Sequence, residues 1–361
     1  MKKFIAVMLT MAMTMSLFAG CASKEKEPEK TNDENVAEEQ TATENSEVDK
    51  LLVETEKVLM EQIGKAPENG KGEKVGALII SMTNPFWSNM KTRYEESAKT
   101  LGIELDVQTG TTEGDTQSQL DTLMTMADMD YDTIIVSPID GTNLIPGIKK
   151  CNDKGIKVIN LGPGVDMEAL KQAGGHLDGK ITVKFEDQGA TVANDMIERL
   201  PDGGKVAILE GLAGAGQSVG RTKGATDVFN ATKNIELVAS QPCDWDMTKA
   251  YEATKDILQA NPDLKGIFAC NDVMALAAIQ ALKDNGVEGV LVYGVDFTDD
   301  AKAAIIDGTM TGSMSYSSTI YTKAALMMAM KLAQGDTFED NIYVPLTLVT
   351  GDNVNKLEGW K

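Results

Sequence analysis

The alternation of apolar runs and helix-length stretches after residue 73 constrains the fold of this chain most strongly. Short runs rich in β-branched residues alternate with longer stretches, which is typical of parallel sheets covered by helices on both faces. The alternation forms two series, divided at about Lys184. Because sheets of more than about ten strands tend to split, we predict an α/β protein with two doubly wound parallel-sheet lobes. The predicted strands are 75–82, 103–108, 133–137, 157–161, 206–210, 236–240, 266–269, 290–295 and 311–314.

The segment Lys74–Trp87 predicts where a ligand binds in the first series. Its apolar run ends at Asn84-Pro85, which is typical of a strand followed by a helix with an asparagine cap and a proline in its first turn. Open α/β sheets bind their ligands at the carboxyl ends of strands. Because consecutive residues of a helix cannot face the same way, we expect one of the rings of Phe86 and Trp87 to face a cleft.

The first 50 residues predict export and membrane anchoring. Two lysines and a Met-rich apolar run end at Leu17-Phe18-Ala19-Gly20-Cys21, which resembles a bacterial lipobox. Residues 1–20 are then a lipoprotein signal peptide, and lipidated Cys21 holds the protein at the outer face of the cytoplasmic membrane. An ordinary signal cleaved nearby is the alternative. Residues 21–50 are too poor in large apolar residues to fold and predict a flexible acidic tether, followed by a short helix and linker over residues 51–73.

The composition excludes several classes of function. A formal net charge of −21 argues against a nucleic acid partner. The single histidine, His176, and four cysteines without a C-x-x-C pair poorly supply acid–base catalysis or a zinc site. We therefore predict that the protein is not an enzyme and has no metal or cofactor. Cys151, Cys243 and Cys270 are interpreted as buried free thiols, and a Cys243–Cys270 disulfide remains an alternative.

A glycine-rich turn invites a second interpretation. Gly211, Gly214, Gly216 and Gly220 lie between a predicted strand and a helix, as in turns that bind phosphate. The spacing is not G-x-G-x-x-G, and no Lys-Ser/Thr pair follows as in a P-loop. We therefore interpret the turn as a tight connection that brings Arg221 into the cleft.

Six short signatures occur in a fixed order along residues 74–348. They are Asn84-Pro85-Phe86-Trp87, Ser137-Pro138-x-Asp140, Gly211-x-Ala213-Gly214 with Arg221-x-x-Gly224, Gln241-Pro242-x-Asp244-Trp245-Asp246, Ala269-Cys270-Asn271-Asp272-x-Met274-Ala275-Leu276, and Gly294-x-Asp296. In this order and spacing, the chain resembles the ribose-type family of type I periplasmic sugar-binding proteins, the substrate receptors of ABC importers. The resemblance implies two lobes joined by a three-segment hinge, which close over a ligand, and we expect a monomer.

The resemblance also implies lobe boundaries and ligand contacts. The first lobe would cover residues 74–183 and 317–344, and the second 184–316 and 345–361. A sugar or sugar-like ligand would lie between aromatic rings with polar groups at its edge, and the closed form would be recognised by an ABC permease. The implied contacts are Asn84, Phe86 and Trp87 in the first lobe and Arg221, Trp245, Asn271 and Asp296 in the second, with Tyr316 close by on a crossing segment.

Several of these assignments have alternatives. Trp245 also suits a core position, Asn271 and Asp296 also suit helix caps, and Arg221 also suits a pair with a surface carboxylate. A receptor that presents its ligand to a sensor kinase or chemoreceptor has the same sequence features. The importer and sensor interpretations therefore both remain open.

The chain departs from the family pattern after the strand 157–161. Pentose and hexose binders commonly carry an Asp-Arg pair there that grips ring hydroxyls, whereas this chain has Gly162-Pro163-Gly164. We therefore expect a cavity that is wider and less polar on one side, and ribose itself is disfavoured. A different sugar, a polyol, a nucleoside or a signalling furanose are the candidates.

Overall fold

A computed structural model of the chain describes residues 50–65, 67 and 72–357. The predicted signal peptide, Cys21 and nearly all of the tether lie outside the described residues. The described strands are β1 (Lys74–Ile79), β2 (Glu104–Thr109), β3 (Thr133–Val136), β4 (Lys157–Leu161), β5 (Gly179–Thr182), β6 (Gly204–Glu210), β7 (Ile235–Pro242), β8 (Leu264–Ala269), β9 (Leu291–Val295), β10 (Gly312–Ser315), β11 (Ile342–Tyr343) and β12 (Thr347–Thr350). The described helices are α1 (residues 50–63), α2 (Pro85–Leu101), α3 (Thr116–Met126), α4 (Ile145–Asp153), α5 (Met167–Gln172), α6 (Phe185–Arg199), α7 (Gly216–Ala231), α8 (Met247–Ala260), α9 (Asp272–Asp284), α10 (Asp299–Ile306) and α11 (Ser318–Ala333), with a short 3-10 turn at Val354–Lys356.

The strands form two six-stranded sheets with the same winding. The first has the order β11-β5-β4-β3-β1-β2 and the second β12-β10-β9-β8-β6-β7. Every neighbouring pair is parallel except β10 and β12, which are antiparallel. In each sheet the first strand lies between the second and the third, which creates a switch point where ligands of open sheets bind. The predicted fold class, two doubly wound parallel-sheet lobes, is confirmed.

The chain passes between the two sheets three times. These passages lie between β5 and α6, between β10 and α11, and between β11 and β12. We call the sheet containing β1 with its helices the first lobe, and the sheet containing β6 with its helices the second lobe. The predicted boundaries of the lobes, 74–183 with 317–344 and 184–316 with 345–361, remain predictions at the level of single residues.

Strand composition follows from burial on both faces. In β3 the sequence TIIV is buried at every position, because helices cover both faces of the sheet and no polar alternation is needed. Three strands, β5, β11 and β12, were not predicted, since they are short and carry glycine or polar residues. The predicted strand 75–82 is wrong at its end: β1 stops at Ile79, and Ser81 hydrogen-bonds in the following loop.

Helix α1 docks on the body of the protein. Leu59 and Ile63 are buried in the core of the first lobe, and Leu52 packs against the cores of both lobes. The side chain of Gln62 donates to the carbonyl of Tyr343 at 3.2 Å and accepts from its N–H at 3.2 Å. Among the described helices, none is both long enough and apolar enough to span a bilayer.

Candidate ligand-binding site

A cavity lies between the carboxyl edges of the two sheets, and the space in and around it that is free of protein atoms, including the part open to solvent, is about 440 Å³. All eight residues predicted as ligand contacts line it, and the structure therefore brings them together from both lobes. Their role as contacts remains a prediction. The lining residues are Asn84, Phe86, Trp87, Glu113, Gly162, Pro163, Phe185, Gln217, Arg221, Trp245, Asn271, Asp296, Tyr316 and Tyr321.

The start of α2 supplies the aromatic side of the first lobe. Asn84 caps the helix, because its Oδ1 accepts from the N–H of Phe86 at 2.9 Å, and Pro85 occupies the first turn as predicted. The rings of Phe86 and Trp87 meet edge to face with centroids 4.9 Å apart, and Phe86 also meets Tyr316 at 6.0 Å. We expected only one ring of the consecutive pair to face the cleft, whereas both line the cavity.

Trp245 supplies an aromatic surface from the second lobe. It follows β7 and has a left-handed backbone, with φ of 65°, as does the preceding Asp244 with φ of 53°. Both conformations are uncommon for residues other than glycine. Asp246 then caps α8 by accepting from the N–H of Lys249 at 2.8 Å. Trp245 is 7% exposed, belongs to the core of the second lobe and lines the cavity, so the core alternative and the cleft prediction both describe its position.

Arg221 is held in place inside the protein. Its Nη1 donates to the carbonyl of Cys270 at 2.7 Å and its Nε to Oε1 of Gln188 at 2.8 Å. Its Nη2 lies 3.8 Å from Asp296, and its guanidinium carbon lies 5.7 Å from the ring centre of Phe185. Because Arg221 is only 5% exposed, the alternative of a pair with a surface carboxylate is wrong.

Asn271 and Asp296 have different local roles. Asn271 caps α9 by accepting from the N–H of Met274 at 3.0 Å, while its Nδ2 is buried without a hydrogen-bond partner. Asp296 is not a helix cap, since Thr298 caps α10. Its backbone is left-handed, with φ of 111°. A buried amide atom without a partner costs stability unless something satisfies it. Oε1 of Gln217, which also lines the cavity, is likewise buried without a partner, so a ligand in the cavity has an unused donor at Asn271 and an unused acceptor at Gln217.

Glu113 lines the cavity although sequence reasoning missed it. It lies in the loop between β2 and α3, where its Oε1 accepts from Oγ of Ser81 at 3.0 Å. Burial raises the pKa of the Glu113 carboxyl, and hydrogen bonds from Ser81 and Asn84 oppose this rise. The available signal was its place after an edge strand, at the same edge of the sheet as Asn84. Five further lining residues were also not predicted as contacts, namely Gly162, Pro163, Phe185, Gln217 and Tyr321.

The cavity contains more carboxylates than cations. Burial raises the pKa of Asp296, the guanidinium of Arg221 opposes this rise, and the carboxylates of Asp272 and Glu113 add to it. Asp272 itself lies behind the cavity wall, where it accepts from Oγ of Ser313 and the N–H of Thr298, each at 2.7 Å. Glu113 of the first lobe and Asp296 of the second both line the cavity, so the cavity suits a ligand that carries hydrogen-bond donors.

The three described cysteines form no disulfide and hold no metal site. Cys151, Cys243 and Cys270 are free and buried, and the Cys243–Cys270 bond left open by the sequence is not present. Burial raises the pKa of these thiols to about 11, 12 and 11 respectively, which keeps them protonated at neutral pH. Over the described ranges no group of three or more His, Cys, Asp or Glu side chains is arranged to hold a metal ion.

Comparisons with known proteins agree with this geometry. Residues 75–337 match the family described as periplasmic binding protein domain. The D-allose-binding periplasmic protein of Escherichia coli K12 is 39% identical over 240 residues, which cover 66% of this chain and 77% of that protein. The ribose import binding protein RbsB of Bacillus subtilis 168 is 26% identical over 287 residues, 79% of this chain and 90% of that protein. A solved structure of an ABC transporter periplasmic solute binding protein from Actinobacillus succinogenes 130z with bound D-allose has a TM-score of 0.74 and 30% identity, and covers 78% of this chain and 99% of that one.

Proposed function

Because this chain belongs to the periplasmic binding protein domain family, as a type I ribose-binding-like protein, we propose that it is a lipid-anchored receptor that captures a sugar and delivers it to an ABC importer. Its relatives are sugar-binding transport proteins and not enzymes. The substrate-binding role follows from membership of the family. The lipid anchor, the permease and the identity of the sugar are the parts that we propose.

One observation carries the proposal: aromatic rings from both lobes and buried polar groups without protein partners line one cavity. Phe86 and Trp87 come from the first lobe and Trp245 from the second. Sugars present C–H faces that pack on flat aromatic rings and hydroxyls that need donors and acceptors. The unpartnered Nδ2 of Asn271, the unpartnered Oε1 of Gln217 and the carboxylates of Glu113 and Asp296 supply such groups.

We propose closure of the hinge as the mechanism of capture. Ligand contacts come from both lobes, so a ligand touches all of them only when the lobes are closed. Binding then shifts the balance between open and closed forms by its difference in affinity for the two. The closed surface is what the permease recognises, and the protein acts as a monomer.

The sugar is proposed to be an aldose of the size of D-allose. The similarity to a D-allose-binding periplasmic protein and to a solute binding protein solved with bound D-allose supports a hexose. Gly162 and Pro163 line the cavity where pentose and hexose binders of the family commonly carry an Asp-Arg pair. The hydrogen bonds to the ligand therefore come from the second lobe and from Glu113, and not from such a pair.

The anchor follows from the lipobox at the N-terminus. Cleavage before Cys21 would leave a lipidated cysteine, and residues 21–50 would tether the two lobes to the outer face of the cytoplasmic membrane. Cys21→Ala is expected to move the protein from the membrane fraction to the soluble fraction of cells. An unchanged distribution would contradict lipid anchoring.

A thermal-shift screen followed by titration calorimetry tests the binding function. A ligand that binds only the native state raises the melting temperature, so we expect at least one aldohexose, with D-allose the first probe, to raise it. Asn271→Ala should weaken that binding about tenfold or more, since a buried hydrogen bond is lost. Asn234→Ala, at an exposed position outside the cavity, serves as the control. No shift with any monosaccharide or polyol would contradict the proposal.

A further inference from the structure

One wall of the cavity has no unused hydrogen-bond donor. We call this the apolar wall and define it by Gly162, Pro163 and Tyr321 of the first lobe and Phe185, the first residue of α6 in the second lobe, which all line the cavity. The phenyl ring of Phe185 has no polar atom. The hydroxyl of Tyr321 donates to the carbonyl of Ile181 at 3.3 Å. Neither side chain therefore presents an unused donor to a ligand.

The backbone of the apolar wall is also satisfied within the protein. The N–H of Gly162 donates to the carbonyl of Ile181 at 2.9 Å, and its own carbonyl accepts from Oγ1 of Thr182 at 2.8 Å. Pro163 has no N–H, and its carbonyl accepts from Nδ2 of Asn160 at 2.7 Å. A ligand hydroxyl placed against this wall finds no unused donor there, and the carbonyls of Gly162 and Pro163 each already accept from the protein.

The conformation of Gly162 keeps the wall bare. Its φ is +87°, a region that residues with a side chain rarely adopt, and a Cβ there would stand 3.3 Å from the hydroxyl of Tyr321. The backbone conformation at Gly162 therefore keeps this part of the wall free of a side chain.

The polar group of the first lobe lies at the other end of the sheet edge. Glu113 follows β2, whereas Gly162 follows β4, and β1 and β3 lie between these strands. Three strand spacings of about 4.8 Å separate the two positions by roughly 14 Å along the edge. The first lobe thus presents a carboxylate at the Glu113 end of the cavity and no unused hydrogen-bond donor at the Gly162 end.

We propose that the cavity selects a deoxy sugar, in which a methyl or methylene group replaces the hydroxyl that would face the apolar wall. This inference rests on the proposed function, since it names the class of sugar that the same cavity takes. A hydroxyl buried without a partner weakens binding, whereas a methyl group in the same place buries apolar surface favourably. Glu113 and the second lobe then bind the hydroxyls at the other end of the ligand.

Matched pairs of sugars test the inference by titration calorimetry on the purified protein. The pairs are D-allose with 6-deoxy-D-allose, D-galactose with D-fucose, and D-ribose with 5-deoxy-D-ribose. The deoxy member of at least one pair should bind about ten- to a hundredfold more tightly than its partner, as expected for a pocket that leaves a hydroxyl unsatisfied. Equal or tighter binding of the hydroxylated member in every pair would overturn the inference while leaving the proposed function intact.

A variant of the wall provides a second measurement. Pro163→Ser introduces a hydroxyl and an N–H beside the ligand, and it should reduce the preference for the deoxy member to less than about threefold, since the wall now satisfies a ligand hydroxyl. Pro262→Ser, at an exposed turn outside the cavity, is the matched control and should keep the preference of the native protein. An unchanged preference in Pro163→Ser would overturn the role of the wall. Binding of none of the six sugars would overturn the proposed function and the inference together.

Discussion

The ring of Trp245 lies against the backbone of Gly211, so close that a Cβ atom at position 211 would stand 1.9 Å from the ring. Gly211 comes at the end of β6 and Trp245 after β7, which pairs with β6. The absence of a side chain at position 211 therefore fixes where the indole stands. The glycine-rich turn, which resembles a phosphate-binding turn in sequence, provides space for an aromatic ring.

Gly211→Ala is expected to displace the Trp245 ring and weaken sugar binding about tenfold or more. The added methyl overlaps the ring, and small-to-large changes in a packed interior cost about 1–3 kcal/mol. Calorimetry with the best sugar from the thermal-shift screen measures the effect. Gly351→Ala is the control, because a Cβ there meets no atom within 4 Å. Native affinity in Gly211→Ala would show that the ring position does not matter for binding.

Arg221→Ala is expected to destabilise the empty protein by about 1–3 kcal/mol. The change removes the donors to Cys270 and Gln188 and leaves buried acceptors without partners. Urea unfolding without ligand measures the loss. Arg199→Ala, which breaks a partly exposed pair with Asp195, should change stability by less than about 1 kcal/mol. If Arg221→Ala unfolds like the native protein, the internal role of this guanidinium is wrong.

The stability gained by Glu113→Gln should grow as the pH rises. Burial raises the pKa of Glu113 above its ordinary value of 4.5, so the folded protein binds more protons than the unfolded chain between the two values. The contribution of Glu113 to the free energy of unfolding is therefore fully present below pH 4.5 and is lost as the pH rises through the pKa of Glu113 in the folded protein. Glutamine cannot ionise. The difference between the melting temperature of Glu113→Gln and that of the native protein should therefore become more positive between pH 4 and pH 8.

Asp115→Asn provides a control of opposite sign for this measurement. A hydrogen bond from Thr111 is the largest cause that lowers the pKa of Asp115, so its contribution to stability is present at neutral pH and is lost as the pH falls. The deficit of Asp115→Asn should therefore stay nearly constant from pH 8 to about pH 4.5 and shrink only as the pH falls past 3.8, the ordinary pKa of this carboxyl, toward its lower pKa in the folded protein. A Glu113→Gln difference that stays flat or falls with pH would contradict the burial of this carboxylate.

Leu59→Ala is expected to destabilise the protein by about 2–5 kcal/mol, the range measured for large-to-small changes in cores. Leu59 lies on α1 and is 0% exposed in the core of the first lobe. Urea unfolding measures the loss. The neighbouring Val58 is 38% exposed, and Val58→Ala should change stability by no more than about 0.5 kcal/mol. Equal effects of the two changes would mean that α1 does not dock as described.

The fold class could be predicted because apolar residues recur with different spacings in buried strands and in helices, and these spacings can be recognised in one amino-acid sequence. β4 was predicted with its correct ends at Lys157 and Leu161, since charged and glycine residues flank it. The end of β1 was wrong because Ile80 and Ser81 are buried without being part of a strand. The strand β11 has two residues, and its pairing with β5 depends on tertiary contacts that no local pattern contains.

The site was predictable where a motif fixes a side chain at a strand end. Asn84, Trp245 and Asn271 belong to such motifs, and the structure brings them to one cavity. Glu113 lies in a loop of threonine, glycine and acidic residues that resembles any solvated turn. Its side chain is buried and hydrogen-bonded by Ser81 and Asn84, and such contacts join residues about 30 positions apart in the chain, which no local pattern contains.

A crystal structure of the protein grown with the sugar that raises the melting temperature most tests the central claim most directly. We expect density for that sugar in the cavity between the lobes, with Trp245 on one side and Phe86 or Trp87 on the other. We also expect a hydrogen bond from Nδ2 of Asn271 to the ligand. Sugar density at another place, or a cavity that stays empty at saturating sugar, would contradict the account.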